Sequence, residues 1–164
     1  MFHFFIPLIP FSLLGALFFK RRILAYGLPV FLTLIQVVST ERSPVFFFTG
    51  AGLVLGVALT RKLKGFWKDS FWALVGYAGL AVLVYEIVSN FGVWFLAGCL
   101  HETAPLYPFT FVGLLQCYRS SLPYTALHFL KDVPLTVLVI KVLMLARWVD
   151  ITRIPWRLKH ESPR

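Results

Sequence analysis

Polar side chains that could bind a small molecule lie in an otherwise apolar stretch of the sequence, between Ser89 and Asp132. Asn90 and Trp94 are four residues apart, so a helix would place both on one face, and Glu86 extends that stripe by one turn. An amide, an indole and a carboxylate on one face could form the wall of a binding pocket. The same side chains could instead form hydrogen bonds between helices, as polar groups in membrane bundles commonly do.

Asp132 is a further candidate, because it directly precedes Val133 and Pro134 at the start of an apolar run. As a helix N-cap, its carboxylate would accept hydrogen bonds from free backbone N–H groups, and a proline is tolerated in the first turn. We favour this structural role. The carboxylate could also accept a hydrogen bond from a cationic or hydroxylated ligand, and the two roles are compatible.

Two charged residues lie inside apolar runs, where an unpaired charge at membrane depth is costly. Lys141 follows Asp132 by nine residues, and Glu86 precedes Leu100 by 14 residues. If part of the helix that contains Glu86 protrudes from the bilayer, the two charges lie at similar depths. We predict that Glu86 and Lys141 form an ion pair across the bundle. The alternative is that Lys141 extends toward the interface while Glu86 is protonated.

The remaining reactive side chains do not indicate catalysis. Cys117 and Tyr118 have no base fixed near them in the sequence, so packing is their favoured role and ligand contact is the alternative. Cys99 and Cys117 could form a disulfide in an oxidising compartment. The run Cys99-x-His101-Glu102 offers three metal-ligand types, but a solvated loop is the favoured interpretation. We therefore predict no enzyme activity, no metal site and no cofactor.

The composition indicates the surroundings of these side chains. Of the 164 residues, 59% are hydrophobic and only 14% are charged, whereas soluble domains have about 25% charged residues. This composition is typical of an integral membrane protein. The net charge is +9, and the basic residues flank the apolar runs, where they set topology and contact anionic lipid. We predict membrane lipid as a partner and no nucleic acid, because no basic patch is interleaved with exposed aromatic residues.

The apolar runs predict an all-α integral membrane protein with about five transmembrane helices. The predicted spans are residues 4–19, 23–39, 45–60, 71–100 and 133–149. Residues 109–118 and 122–130 are each shorter than the ~20 residues of a span, so we predict that they form a re-entrant helical hairpin. Residues 1–149 form a single transmembrane domain, and residues 150–164 form a basic cytoplasmic tail.

Basic clusters follow the first and third spans, which places those ends on the cytoplasmic side. Five crossings then place the N-terminus outside and the basic tail in the cytoplasm. Six crossings would place the tail outside, against the charge rule. We therefore predict five.

Gly52 and Gly56 are four residues apart in the third span. Glycines at this spacing allow two helix backbones to approach closely. The contact could lie inside this chain or on a partner protein.

The stretch from Asn90 to Asp132 also carries a recognisable pattern. It contains Asn90-Phe91-Gly92-Val93-Trp94, then Tyr107-Pro108-x-Thr110-x-x-Gly113-Leu114-x-x-Cys117-Tyr118, then Leu122-Pro123 and Asp132. This pattern resembles an uncharacterised family of bacterial membrane proteins that look like the substrate-binding (S) components of energy-coupling-factor vitamin transporters. The resemblance implies an S-component-like bundle that lacks its usual first helix, in a bacterial inner (plasma) membrane.

The resemblance also implies a function, which is to bind a small, vitamin-like micronutrient for uptake. The substrate-binding residues that it implies are Asn90, Trp94, Tyr107, Cys117, Tyr118 and Asp132. Separate subunits would supply the energy, because the sequence contains no nucleotide-binding motif, and the Gly52–Gly56 face would dock on a coupling subunit. The chain departs from the pattern at Pro10, Gln36 and Leu127, where the family has polar residues.

Two other function classes stay open. The chain could be a non-catalytic accessory or scaffold subunit of a larger membrane protein complex, which keeps the helical fold without a ligand. A membrane enzyme is the least supported class, because no acid–base or nucleophile pair is evident.

Overall fold

The computed structural model describes residues 8–19, 21–39, 44–63, 70–99 and 107–153. Across these ranges the chain is all-helical, as predicted. The five helices are α1 (Leu8–Phe18), α2 (Arg22–Ser39), α3 (Phe46–Leu63), α4 (Phe71–Cys99) and α5 (Phe111–Arg153). Helix α4 packs mainly against α3 and α5. Helix α1 contacts all four of the other helices.

Small residues let α3 and α4 pack closely. A Cβ atom at Gly52 would lie 3.1 Å from the Tyr85 Cα, and one at Gly56 would lie 3.5 Å from the Ala81 Cα. Both glycines are therefore covered by α4 of the same chain. The prediction that this face docks on a partner helix is wrong, because the close approach that glycines allow is used inside the bundle.

The α1–α2 contact also depends on a close backbone approach. A Cβ atom at Gly15 would lie 2.8 Å from the carbonyl oxygen of Ala25. Pro29 follows Ala25 by four residues and has no N–H group to donate to that carbonyl. The Gly15 backbone therefore packs against the Ala25 carbonyl oxygen. Within α2 that oxygen lacks its usual donor, because Pro29 has no N–H group.

The end of α3 meets the end of α1. Arg61 donates a hydrogen bond from Nη1 to the Phe19 carbonyl oxygen at 2.8 Å, and its guanidinium lies 5.9 Å from the centroid of the Tyr26 ring. Arg21 directly precedes α2 and Arg22 begins it, so both lie at this same end of the bundle. The basic clusters that follow the first and third apolar runs therefore share one end, which we call the basic end.

Helix α5 replaces the predicted re-entrant hairpin. Its 43 residues run without a break through Pro123 and Pro134, a length of about 65 Å. The hairpin prediction is wrong because a proline inside a helix removes one backbone hydrogen bond without necessarily ending the helix. Nearby hydroxyls add bonds, since Ser121 Oγ donates to the Tyr118 carbonyl at 2.8 Å and Thr125 Oγ1 donates to the Ser121 carbonyl at 3.1 Å.

Helix α5 continues into the predicted basic tail, because it includes residues 150–153. The rest of that tail lies outside the described residues, as do His101 and Glu102 of the predicted solvated loop.

Candidate functional site

A polar cluster lies between α4 and α5, and Glu86 is its member on α4. Glu86 is 8% exposed near the middle of a helix that is otherwise mostly apolar. Its Oε2 accepts hydrogen bonds from Asn90 Nδ2 at 3.1 Å and from Thr125 Oγ1 at 3.2 Å. Asn90 Nδ2 also donates to the Glu86 backbone carbonyl at 2.8 Å. Glu86 and Asn90 thus lie on one face of α4, as predicted, and their side chains are hydrogen-bonded to each other.

His128 lies between two carboxylates. Its Nδ1 is 3.2 Å from Asp132 Oδ2, one turn later on α5, and 3.6 Å from Glu86 Oε1 across the helix contact. The Tyr85 ring stacks against the imidazole, with centroids 6.0 Å apart and planes inclined by 18°. The aromatic ring and the two carboxylates together hold the imidazole between α4 and α5. We call Glu86, Asn90, Thr125, His128 and Asp132 the carboxylate cluster.

Asp132 is the most buried charged residue of the carboxylate cluster, at 3% exposure. Lys131 Nζ lies 3.6 Å from its Oδ1, and that oxygen accepts no hydrogen bond from the described part of the chain. The N-cap prediction for Asp132 is wrong, because α5 continues through this position and its backbone N–H groups are bonded within the helix. The carboxylate is therefore available for contacts between helices.

Trp94 and Tyr107 lie apart from the carboxylate cluster, toward the α4–α5 connection. Trp94 Nε1 donates to the Pro108 carbonyl at 3.1 Å, and its ring stacks on Phe109 with centroids 4.7 Å apart. Tyr107 is half-buried and directly precedes Pro108. The Trp94 indole thus connects α4 to the segment that directly precedes α5. The structure does not bring the indole together with Asp132.

Cys117 and Tyr118 lie on the same contact between helices, one or two turns from the carboxylate cluster. Cys117 Sγ donates to the Asn90 carbonyl at 3.4 Å, and Tyr118 OH donates to the Ile87 carbonyl at 2.8 Å. These bonds agree with the packing role that we favoured. Cys117 is buried and Cys99 is exposed, and both are free thiols, so the disulfide considered for them is not formed.

The predicted ion pair between Glu86 and Lys141 is not formed. The described partners of Glu86 are Asn90, Thr125 and His128, and within the described ranges no ion pair involves Lys141. The physical reason is that α5 is continuous. Lys141 lies 13 residues beyond His128, about 20 Å farther along the helix axis.

Thr125 and His128 are site residues that were not predicted from the sequence, although a signal for them exists. Ser121, Thr125, His128 and Asp132 follow one another at intervals of four, three and four residues. This spacing places them on one face of a helix. The assumed break near Pro123 split this stripe between two segments and hid it.

The charges of the carboxylate cluster decide its chemistry. Glu86 and Asp132 each contribute a negative charge when ionised, Lys131 contributes a positive charge beside Asp132, and His128 is charged only when protonated. Such a group can accept a proton, or it can accept hydrogen bonds from a cationic or hydroxylated molecule. No group of three or more metal-ligating side chains in the described residues is arranged to hold a metal ion.

Comparison with known proteins assigns the chain to a family. The model of DUF6580, a family of unknown function, matches residues 1–154, so the chain belongs to this family. No curated protein and no solved structure matches the chain.

Proposed function

We propose that this protein is a membrane-embedded binding component that takes up a small, vitamin-like micronutrient and is energised by separate subunits. The single observation that carries the proposal is the carboxylate cluster. It places two acidic side chains and an imidazole between helices whose other residues are mostly apolar. Ionisable groups at membrane depth typically mark sites for substrates, ions or protons.

The membrane location is supported by the length and the surface of the helices. Two helices in the described residues, Phe46–Leu63 and Phe71–Cys99, are long and apolar enough to cross a bilayer. Only 33% and 39% of their most apolar windows are buried in the protein, whereas a core helix of a soluble protein would be mostly buried. Large apolar side chains of α2 and α5 also face outward, among them Ile23, Phe31, Leu122, Leu130 and Leu145. Exposed apolar surface of this extent fits a lipid environment.

The orientation is supported by the distribution of charge. Arg21, Arg22 and Arg61 share the basic end, and basic residues favour the cytoplasmic side of a membrane. With five crossings, the N-terminus lies outside and α5 ends in the cytoplasm. A bacterial inner membrane is the location implied by the resemblance to S components.

Native mass spectrometry of the protein, extracted from its own membrane in a mild detergent, tests the proposed function. The expected result is a bound small molecule together with companion membrane subunits. A protein that carries neither under conditions that preserve lipid adducts would contradict the proposal.

A second function is favoured by a different observation. Asn90 and Trp94 use their donors inside the protein, and α4 covers Gly52 and Gly56. This internal use of polar groups fits an accessory or scaffold subunit of a membrane complex. Companion subunits without a small molecule, in the same mass spectra, would support this second function over uptake.

A further inference from the structure

We propose that the outer face of α5 packs against a transmembrane helix of a companion subunit, and that this helix places an acceptor side chain, a carboxylate or an amide, opposite Lys131. The inference rests on the membrane location in the proposed function and adds the surface where a companion subunit binds. Three features carry it: the exposure of one helix face, the depth of the Lys131 ammonium, and the proline at position 134.

A stripe of exposed side chains runs along α5 on the side that faces away from the carboxylate cluster. Its members recur at alternating intervals of three and four residues and are Tyr124, Leu127, Lys131, Pro134 and Leu138. Leu127 and Leu138 are 56% and 61% exposed, so the described part of the chain leaves them largely uncovered. The spacing is that by which two helices pack side by side. We call these five residues the α5 stripe.

Lys131 lies close to the middle of the bundle. His128 is level with Glu86, because Nδ1 of the imidazole is 3.6 Å from Glu86 Oε1. Glu86 is one residue from the centre of α4 (Phe71–Cys99), and Lys131 is three residues, about 5 Å, beyond His128 along α5. A bilayer centred on α4 has a hydrocarbon core of about 30 Å. The Lys131 ammonium then lies too deep for a lysine side chain to extend to either headgroup layer.

A charged side chain at this depth is costly when it faces lipid, and such side chains almost always face protein or a water-filled cavity. The Lys131 side chain is 39% exposed although its Nζ lies 3.6 Å from Asp132 Oδ1. That contact is longer than a hydrogen bond, and an ammonium has three N–H donors. The contact with Asp132 thus compensates the charge without shielding the ammonium from lipid. A helix packed over the α5 stripe would shield the ammonium and add an acceptor.

Pro134 provides a reason that is independent of Lys131. It has no N–H group, so the carbonyl of Leu130 lacks its usual donor within α5. Leu130 is 76% exposed, which places this backbone acceptor on the uncovered side of the helix. At membrane depth, such a carbonyl is tolerated where a neighbouring helix, a polar side chain or an ordered water satisfies it. A companion helix on the α5 stripe brings these groups to it.

A second copy of this chain fits the α5 stripe less well than a different protein does. The five residues of the stripe include no carboxylate and no amide. Asp132, beside the stripe in the sequence, is buried against α4. Two copies in the same membrane orientation would place Lys131 against Lys131, and like charges across an interface are unfavourable. The acceptor must therefore come from a different chain.

Photo-cross-linking of the full chain in its own membranes tests the surface. Leu127 and Leu138 are replaced one at a time by p-benzoylphenylalanine, and Phe31 on α2, which is 59% exposed, is the matched control position. We expect both stripe positions to cross-link to one transmembrane segment of a single companion protein, with an Asp, Glu, Asn or Gln within one turn of the cross-linked sites. The Phe31 variant should not cross-link to that segment. Adducts with lipid alone, a covalent dimer of this chain, or a companion segment without such an acceptor would overturn the inference.

Substitution of Lys131 tests the polar contact. Lys131→Met should lower the yield of the companion cross-link about three- to tenfold, because one hydrogen bond between helices is lost, whereas Lys131→Arg should retain it. Lys62→Met, at an exposed lysine near the end of α3, is the matched control and should leave the yield unchanged. In nanodiscs without a companion, Lys131→Met should be at least as stable as the wild type. A less stable variant with an unchanged cross-link yield would show that Lys131 serves Asp132 alone, and would overturn the inference.

Failure of the inference and failure of the proposed function are distinguishable. A captured companion helix with no solute in the native mass spectra overturns uptake and supports the inference. A solute in those spectra without a helix captured at the α5 stripe overturns the inference and leaves uptake intact.

Discussion

Helix α4 contacts α3 and α5 through two different kinds of surface. Toward α3 it presents backbone and small side chains, so that Gly52 and Gly56 lie against Tyr85 and Ala81. Toward α5 it presents Glu86, whose carboxylate accepts a hydrogen bond from Thr125 and lies 3.6 Å from the His128 imidazole. Tyr85 belongs to both contacts, because Gly52 lies against its backbone while its ring stacks on His128 of α5. One helix therefore separates a surface that serves packing from a surface that holds all the described buried charge.

The difference indicates how the bundle tolerates a polar site. Close packing of glycines on α3 stabilises the position of α4 through dispersion contacts and needs no polar group. The α4–α5 contact can then hold carboxylates whose bonds are not all used within the protein. Substitutions on the α3 side should consequently cost the most stability, whereas those on the α5 side should cost less stability and also affect ligand binding.

The largest expected effect is on the α3 side. Gly52→Leu places a branched side chain where a Cβ atom alone would lie 3.1 Å from the Tyr85 backbone. We expect a loss of about 3 kcal/mol in the free energy of unfolding, because two helix backbones must move apart. Gly27→Leu is the matched control, since nothing lies within 4 Å of a Cβ atom there. Unfolding of both variants in mixed micelles gives the comparison, and equal stability of the two would contradict close packing of α3 on α4.

A smaller loss is expected on the α5 side. Glu86→Ala removes the carboxylate that accepts from Asn90 and Thr125, while each donor keeps a backbone carbonyl acceptor. The expected loss is therefore that of hydrogen bonds to a charged group, about 1.5 kcal/mol. Glu86→Gln, which keeps one oxygen acceptor, should lose less. The same unfolding measurement ranks the two variants, and an Ala variant as stable as the wild type would show that the carboxylate cluster does not hold α4 to α5.

Thr125→Val tests one bond of the carboxylate cluster. The variant keeps the shape of the side chain and removes the donor to Glu86 Oε2 at 3.2 Å. We expect a loss of about 0.6–1 kcal/mol, the usual value for a hydrogen bond between helices in a membrane. A double-mutant cycle with Glu86→Gln measures the coupling. Strict additivity of the two changes would place Thr125 and Glu86 out of contact.

The smallest expected effect concerns Lys141. Lys141→Met should change stability by less than about 0.5 kcal/mol, because the residue is only partly buried and does not pair with Glu86. The double charge reversal Glu86→Lys with Lys141→Glu provides the sharper control. We expect it to fold no better than Glu86→Lys alone. A rescue of folding yield by the second substitution would contradict this and support the predicted Glu86–Lys141 ion pair.

Sequence reasoning succeeded where one local rule decided the outcome. Apolar runs separated by basic clusters gave the helices, and the four-residue spacing of Glu86 and Asn90 placed them on one face, where they bind each other. It failed around Pro123, because a proline signals a break in the chain only when no other interaction maintains the helix. The failure at Pro123 propagated to the N-cap role of Asp132 and to the depth of Lys141, since both depended on where the last helix begins.

The docking role of Gly52 and Gly56 failed for a different reason. The spacing of two glycines predicts close approach to some helix, but the sequence does not specify which helix is approached. In the structure that helix is α4. The identity of a packing partner depends on the arrangement of the whole bundle, which no single segment encodes.

The central claim is that the carboxylate cluster holds a solute, and native mass spectrometry of matched variants tests it most directly. Wild type, Gly27→Ala and the double variant Glu86→Gln/Asp132→Asn are purified in parallel from the same membranes. We expect one small-molecule adduct on the first two proteins and its loss from the double variant. An adduct that persists on the double variant, or one that is absent from all three, would contradict the claim.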